Sequence, residues 1–407
     1  TVSLLPMTTI KLYYNNVPGQ NLHDDDMLIW QGSNTTSFHH ILNTLGLDYE
    51  WTTNPHEGIV VLDIGSTSFD SEYDKLIKVI DRYSADYGKF LLFTSQEPIN
   101  KNWIDFLETN YPNIFIMDIK YAIQDKGKYI PFPAFFARMN NNILNEVIPH
   151  AQINLTDVDK KTFKFHNLKY RWTPDKFYTQ YYLDEYDLIN DNIITYQNPS
   201  KFDSESGEYI EVDPKLRSDV LLADKSITAD NNLLRKMVSA LETFDSPDLV
   251  NDKEFNVVRR YHPQYIYDLS YFSLVNENLN KTDVDHFYIS EKTLYPVLVG
   301  HPTLIIGNQW HHEYMADLGF LIYDELFDYS FDQISNDLER IDAVVNQASI
   351  FSPEEYVTNI DTVVKKIEHN KYNLTNNNSK LWTKLRQTMT TNLEKYHDTE
   401  ATIYFSR

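Results

Sequence analysis

The tetrapeptide Ser290-Glu291-Lys292-Thr293 stands where a short apolar stretch gives way to a helical pattern, in the run FYISEKTLYPVLVGHPTLIIG over residues 287–307. Serine is a good N-cap, so the next three residues fall in a first helical turn, where backbone N–H groups lack partners and the helix dipole is positive. Such an end attracts anions, and Lys292 adds a full positive charge. Glu291 repels phosphate, but it can accept two hydrogen bonds from a ribose diol. An acid and a base side by side therefore suit a nucleoside diphosphate. The same pair also suits an ordinary solvated helix end, because charged first turns are common.

Other constellations offer less. His39-His40 and His311-His312 are adjacent pairs, not the i, i+4 spacing that puts two ligands on one helix face. Zinc is not expected there; each pair reads as one packed and one exposed ring. Asp24-Asp25-Asp26 lacks a buried strand before it and reads as a solvated acidic turn, so no metal site is expected. Phosphate-loop, serine-elbow and dinucleotide glycine motifs are all missing from the sequence. Tyr178, Tyr181 and Tyr182 read as the packed face of a helix, with stacking on a sugar or base as the alternative.

Positioning the tetrapeptide requires strands before and after it. In the first part of the chain, residues 10–14, 58–65, 89–94 and 113–117 are apolar runs (IKLYY, GIVVLDIG, KFLLFT, NIFIM). Between them, Tyr73, Leu76, Ile77 and Ile80, then Trp103, Ile104 and Leu107, recur at helical steps. Strands apolar on both faces alternating with helices predict a parallel sheet in an α/β domain. A second alternation has strands at 162–165, 192–197, 271–275 and 303–306, with helices at 174–186 and 231–241. Residues 200–230 read as a polar excursion. After about residue 352 the chain is helical and polar, interrupted at 374–380 (LTNNNSK). The expected organisation is an α/β domain over 7–155, a second over 156–350 and a helical tail over 351–407, with Met7 a candidate start.

A length of 407 residues with 42% hydrophobic content excludes a disordered chain and suits two or three domains. The formal charge of -23 argues against a broad phosphate-coating surface. The sequence has no cysteine, which removes disulfides and thiolate sites and fits a cytoplasmic protein. No apolar run approaches a membrane span and the start lacks a signal-peptide pattern.

The ordered set YFSLVNENLN, FYISEKTLYPVLVGHPTLIIG and LGFLIYDELFDYSFDQISNDLERI resembles a family of viral and bacteriophage glycosyltransferase-like proteins. It is also similar to the donor-domain motif of α1,3-fucosyltransferases, where a Glu-Asn pair precedes Thr-Glu-Lys at a helix start. Glu277-Asn278 matches the first element and Ser290-Glu291-Lys292 the second, with Ser replacing Thr. The stretch KTFKFHNLKYRWTPDKFYTQYYLDEYDLINDNIITYQ resembles that viral family's basic strand-to-helix loop, with Arg171 kept and Lys176 at a second basic position. The resemblance spans residues 162–346.

It implies a GT-B enzyme: two Rossmann-like domains facing a cleft, the second holding a nucleoside diphosphate sugar. Charge building on the departing diphosphate then needs fixed cations. Without a metal site, Lys292, Arg171, Lys176 and the helix N-terminus are the candidates, with Ser290, Glu291 and Thr293 completing the donor site. Glu277 would orient the donor sugar or a cation, or simply pair with a neighbouring base. A general base for the acceptor hydroxyl is expected from the first domain. Asp63, closing IVVLD, is the first candidate and Glu97 the second; turn-holding or helix-capping is the structural alternative for Asp63. The expected acceptor is a glycan or small hydroxyl compound. One alternative is a hydroxymethylated pyrimidine in phage DNA, served by Lys160-Lys161-Lys164-Lys169 or by Lys253 with Arg259-Arg260. Another is a sugar-nucleotide-binding module without catalysis.

Overall fold

Unbroken apolar runs are what strands buried on both faces require, and the computed structural model of the chain gathers them into two parallel sheets. Described are residues 10–13, 38–65, 69–94, 99, 101–118, 121–122, 129–131, 158–169, 174–196, 200–202, 209–211, 236, 264–277, 286–287 and 289–398. Contacts divide the chain into two compact units: 1–146 with 282–289 and 375–407, and 147–281 with 290–374.

The first unit opens with β1 (Ile10–Tyr13), α1 (Phe38–Leu45), β2 (Tyr49–Trp51), β3 (Ile59–Gly65), α2 (Phe69–Asp86) and β4 (Phe90–Thr94). It continues with α3 (Lys101–Asn110), β5 (Ile114–Asp118), β6 (Tyr121–Ala122) and β7 (Tyr129–Pro131). Its six-stranded sheet has the order β2-β1-β3-β4-β5-β7, with every neighbouring pair parallel. Val60, Leu62 and Ile64 share one core with Phe90, Leu92, Ile114 and Ile116 of the neighbouring strands. Leu76, Ile80 and Leu107, on the predicted helical stripes, complete it.

The second unit contains β8 (Phe163–Lys169), α4 (Pro174–Glu185), β9 (Ile193–Tyr196), and an antiparallel pair β10 (Ser200–Phe202) and β11 (Tyr209–Glu211) within the polar excursion. Then come α5 (Gln264–Leu269) and β12 (Ser270–Asn276), and after β13 (His286–Phe287) follow α6 (Glu291–Val299) and β14 (Thr303–Ile306). The remaining helices are α7 (His311–Asp317), α8 (Asp337–Ile350), α9 (Pro353–Thr358), α10 (Ile360–Thr375) and α11 (Lys380–Asp398). Four parallel strands form its sheet in the order β14-β12-β8-β9. All residues of α4 from Asp175 to Leu183 are buried, as a helix enclosed by core requires. Tyr178, Tyr181 and Tyr182 therefore pack with Phe165, Phe272 and Ile341.

Two expectations are corrected. The apolar stretch before Ser290 does not feed the sheet: its described part, β13, pairs antiparallel with β6, Phe287 against Tyr121. The strand that precedes α6 in the sheet is β12, which pairs directly with β14. The polar helices after residue 352 are also not one separate body. Those up to residue 374 group with the second unit and α11 with the first, where Lys89 donates to the Tyr396 carbonyl. Apart from Lys236, the helix expected over 231–241 lies outside the described residues.

Candidate functional site

Read in chain order, the second sheet runs second-first-third-fourth (β9-β8-β12-β14), so its winding reverses between β8 and β12. Doubly wound sheets hold ligands beyond the carboxyl ends of the strands at such a point. Two helices begin there: α4 after β8, and α6, the next helix after β12. Pro174 opens α4, where a fixed φ and a missing N–H cost nothing.

Ser290 caps α6 as its residue type predicts. Its backbone is extended (φ -114, ψ -177), and its hydroxyl accepts from the Lys292 amide at 3.2 Å. Gly300 closes the helix in the left-handed region at φ 85, which a side chain would strain. Beneath the cap lies Glu277, only 1% exposed. Its Oε1 accepts from the Ser290 amide at 2.9 Å and from the Thr293 hydroxyl at 2.6 Å. Its Oε2 accepts from the Ser290 hydroxyl at 2.6 Å. Lys292 is half-buried, with Nζ 3.5 Å from the Ser290 hydroxyl, so the ammonium lies back over the start of the helix.

Asn276, one residue earlier, ties down the other side. Its amide donates to the Thr179 hydroxyl of α4 at 2.6 Å, and its Oδ1 accepts from Asn167 of β8 at 2.9 Å. Asn167 also donates to the Leu274 carbonyl at 2.6 Å. Consecutive residues at the end of β12 thus fasten α4 and α6 across the switch point. Sequence reading missed Asn167, Asn276 and Thr179; the signal for one of them was an Asn closing an apolar strand.

Lys176 is buried in the first turn of α4, and Glu291 is the first residue of α6. Arg171, Asn278 and Glu97 lie outside the described residues, as do Asp24-Asp25-Asp26, Lys253 and Arg259-Arg260. In the first unit the winding reverses between β1 and β3, and Asp63 falls near the carboxyl end of β3, beside a register irregularity. Its Oδ2 accepts from the Phe38 amide at 3.1 Å, which puts the carboxylate at the start of α1. The helix-capping alternative fits that bond, although the helix precedes the strand.

The expectation of one exposed ring per histidine pair fails at His311 and His312, both buried. His311 packs against Gly307 at the end of β14, and His312 Nδ1 bonds Asp332 at 2.9 Å. Burial pushes the Asp332 carboxyl up, but the His312 hydrogen bond and charge outweigh it and hold it below its ordinary value. Arg340 donates from Nε to the Gly307 carbonyl at 2.9 Å and pairs with Asp337. Within the 160–169 cluster, Lys161 is buried on the Ser270 carbonyl at 2.7 Å and Lys164 donates to the Ser349 carbonyl at 2.8 Å, while Lys160 is exposed.

Among the described residues no group of three or more His, Asp or Glu side chains is arranged to hold a metal, and no helix is long and apolar enough to cross a membrane.

No protein-family profile matches the chain, and no curated protein matches it. Two solved structures are similar at low level. A glycosyltransferase from Rickettsia africae ESF-5 aligns over 97% of this chain and 100% of its own, at 12% identity and a TM-score of 0.34. The N-terminal domain of Candida albicans trehalose-6-phosphate phosphatase aligns over 95% and 96%, at 10% identity and a TM-score of 0.32. Likenesses this weak carry no argument about fold or function.

Proposed function

We propose that the protein is a glycosyltransferase of GT-B architecture that takes a sugar from a nucleoside diphosphate and passes it to a hydroxyl of a glycan or small molecule. One observation carries the reading: α4 and α6 both start beyond the carboxyl ends of β8 and β12, where the winding of the second sheet reverses. A pyrophosphate there meets the positive ends of two helices, with Lys292 folded over one and Lys176 in the first turn of the other. As the glycosidic bond breaks, the lysines and, with them, Arg171 would stabilise the charge on the departing diphosphate. Glu291 would hold the ribose diol.

Glu277 takes a different role from the one its motif position suggests. Three donors from Ser290 and Thr293 engage its oxygens, so it positions the first turn of α6 and does not touch the donor. Asp63 is the proposed base of the first unit; its Oδ2 accepts from the Phe38 amide, which holds the carboxylate in place without using up its acceptor sites. A sugar-nucleotide-binding module without turnover is the alternative.

A thermal-shift panel of UDP-, GDP-, CMP- and dTDP-sugars tests the proposal, because a ligand that binds only the native state raises its melting temperature. One nucleotide sugar is expected to raise it, and Lys292→Ala to weaken that nucleoside diphosphate about tenfold or more while leaving the nucleoside nearly unchanged. Equal losses for both would remove Lys292 from the phosphates. No shift with any member would sink the donor assignment. Binding without release of free nucleotide on a panel of hydroxyl acceptors would favour the module.

A further inference from the structure

At the amino ends of β8, β12 and β14, away from the switch point, four buried side chains form one chain of hydrogen bonds that no part of the proposed chemistry uses. It runs from the Ile266 carbonyl to Ser270 Oγ (2.8 Å), then to His166 Nδ1 (2.7 Å). From His166 Nε2 it continues to Ser273 Oγ (2.9 Å), to His301 Nδ1 (2.8 Å), and from His301 Nε2 to the Ser270 carbonyl (3.0 Å). Every member is buried: Ser270 and His301 are 0% exposed, Ser273 1% and His166 2%.

Counting protons gives an imbalance. Both ends of the chain are carbonyl oxygens, which only accept. Five contacts therefore need five protons. Two serines and two neutral imidazoles bring four, one each. However the tautomers are arranged, the neutral chain leaves one contact as two facing lone pairs. A single added proton, held by either imidazole, completes all five.

We propose that this cluster is a one-proton site, that His166 carries the added proton, and that loading it locks the junction between α5 and β12. The electrostatics separate the two rings. Lys161 Nζ donates to the same Ser270 carbonyl that His301 Nε2 contacts, at 2.7 Å, and also to the Tyr267 carbonyl at 3.4 Å. That ammonium opposes a second charge on His301. Burial, and then the Lys161 charge, push His301 down to about 3. His301 thus stays neutral with Nε2–H donating to the carbonyl, Ser273 donates to its Nδ1, and His166 Nε2–H donates to Ser273. His166 Nδ1 remains, and a proton there donates to Ser270 Oγ and frees the Ser270 hydroxyl to hold the Ile266 carbonyl.

The groups facing the cluster are Lys161 before β8, Tyr267 of α5, His301 before β14 and, behind Tyr267, Tyr295 of α6. The Tyr267 ring stands at 88° to His166 with centroids 4.7 Å apart and at 79° to His301 with centroids 5.2 Å apart, so it packs edge-on with both imidazoles. Ser270 is the first residue of β12 and follows α5 directly, so the extra bond acts on the step from helix to strand.

The test is a pH titration of the full chain with 15N-labelled histidine, read by long-range nitrogen–proton correlation. His166 and His301 are assigned with His166→Gln and His301→Gln. As pH falls, His166 is expected to take a proton before His301, and His301 to show the Nε2–H form throughout. Ser270→Ala removes the first two contacts and leaves three contacts for three protons. That balanced chain should take its proton about one pH unit lower or more. Earlier loading of His301, an Nδ1–H form of His301, or an unchanged His166 midpoint in Ser270→Ala would each overturn the proposal. If Ser270→Ala does not fold, the order of loading and the His301 tautomer in the unaltered chain decide it alone.

Discussion

Glu277 receives the Ser290 amide on one carboxylate oxygen, at 2.9 Å, and the Ser290 hydroxyl on the other, at 2.6 Å. A carboxylate at a helix start gains from the dipole, and these bonds to a charged acceptor are stronger than neutral ones. The proposed donor site is thus built on a buried anion that aims the first turn of α6.

Replacing that anion should therefore cost stability before it costs chemistry. Glu277→Ala strands the Ser290 amide, the Ser290 hydroxyl and the Thr293 hydroxyl in a dry site, for a loss of about 3 kcal/mol or more. Glu277→Gln keeps the shape but brings one donor face to face with donors, and should lose about half as much. Urea unfolding of the two variants reads the difference. If Glu277→Ala unfolds at the same urea concentration as the parent, the cap network is not formed.

Much of this architecture is legible in the sequence, because its causes are local. The run IVVLDIG has no polar partner face, so it must be a strand covered on both sides; Ser290 and Gly300 bracket α6 by their backbone preferences alone. The pairing of β13 with β6 has no such trace. A two-residue bridge shows no periodicity, and Phe287 and Tyr121 meet only through the fold. The role of Glu277 was hidden for a related reason: its residue type offers an acceptor, while the donors 13 and 16 positions away decide what it accepts. His166 and Ser270, 104 residues apart, join only once β8 and β12 pair.

The approach of His311 to Gly307 predicts a second stability effect. A Cβ on Gly307 would lie 2.6 Å from His311 Cγ, and the ring is 1% exposed with little room to turn. Gly307→Ala should lose about 1–3 kcal/mol, as overpacked cores do. Adding His311→Ala should return part of that loss, which a double-mutant cycle in urea would read as coupling between the sites. Losses that simply add would show that the two residues do not touch.

The same histidine makes stability depend on pH. Burial, followed by the charges on His312 and Arg340, pushes His311 from its ordinary 6.5 down to about 3. Its contribution is full above the unfolded value and is lost as pH falls through the window from 6.5 to 3. Asp332, held low, acts in the same direction below the ordinary carboxylate range. Within that window each such histidine should cost about 1.4 kcal/mol per pH unit. Urea midpoints at pH 7.5, 5.5 and 4.5 should decline, with a shallower decline in His311→Phe. A midpoint that rises on acidification contradicts a neutral, buried His311.

Tyr356 offers a change expected to cost little. Its side chain is 0% exposed, its ring stands 5.1 Å from that of Tyr271, and its hydroxyl has no hydrogen-bond partner among the described residues. Burial, and then the neighbouring Tyr271, push its pKa well above the ordinary tyrosine value, so the group stays neutral. A buried hydroxyl without a partner keeps its desolvation cost and gains no bond, and phenylalanine fills the same space without it. Tyr356→Phe should thus be neutral or stabilising by about 1 kcal/mol, whereas a tyrosine that donates to a hidden acceptor would lose about that much. Thermal unfolding of the variant gives the sign, and a clear fall in melting temperature would mean that the hydroxyl is hydrogen-bonded after all.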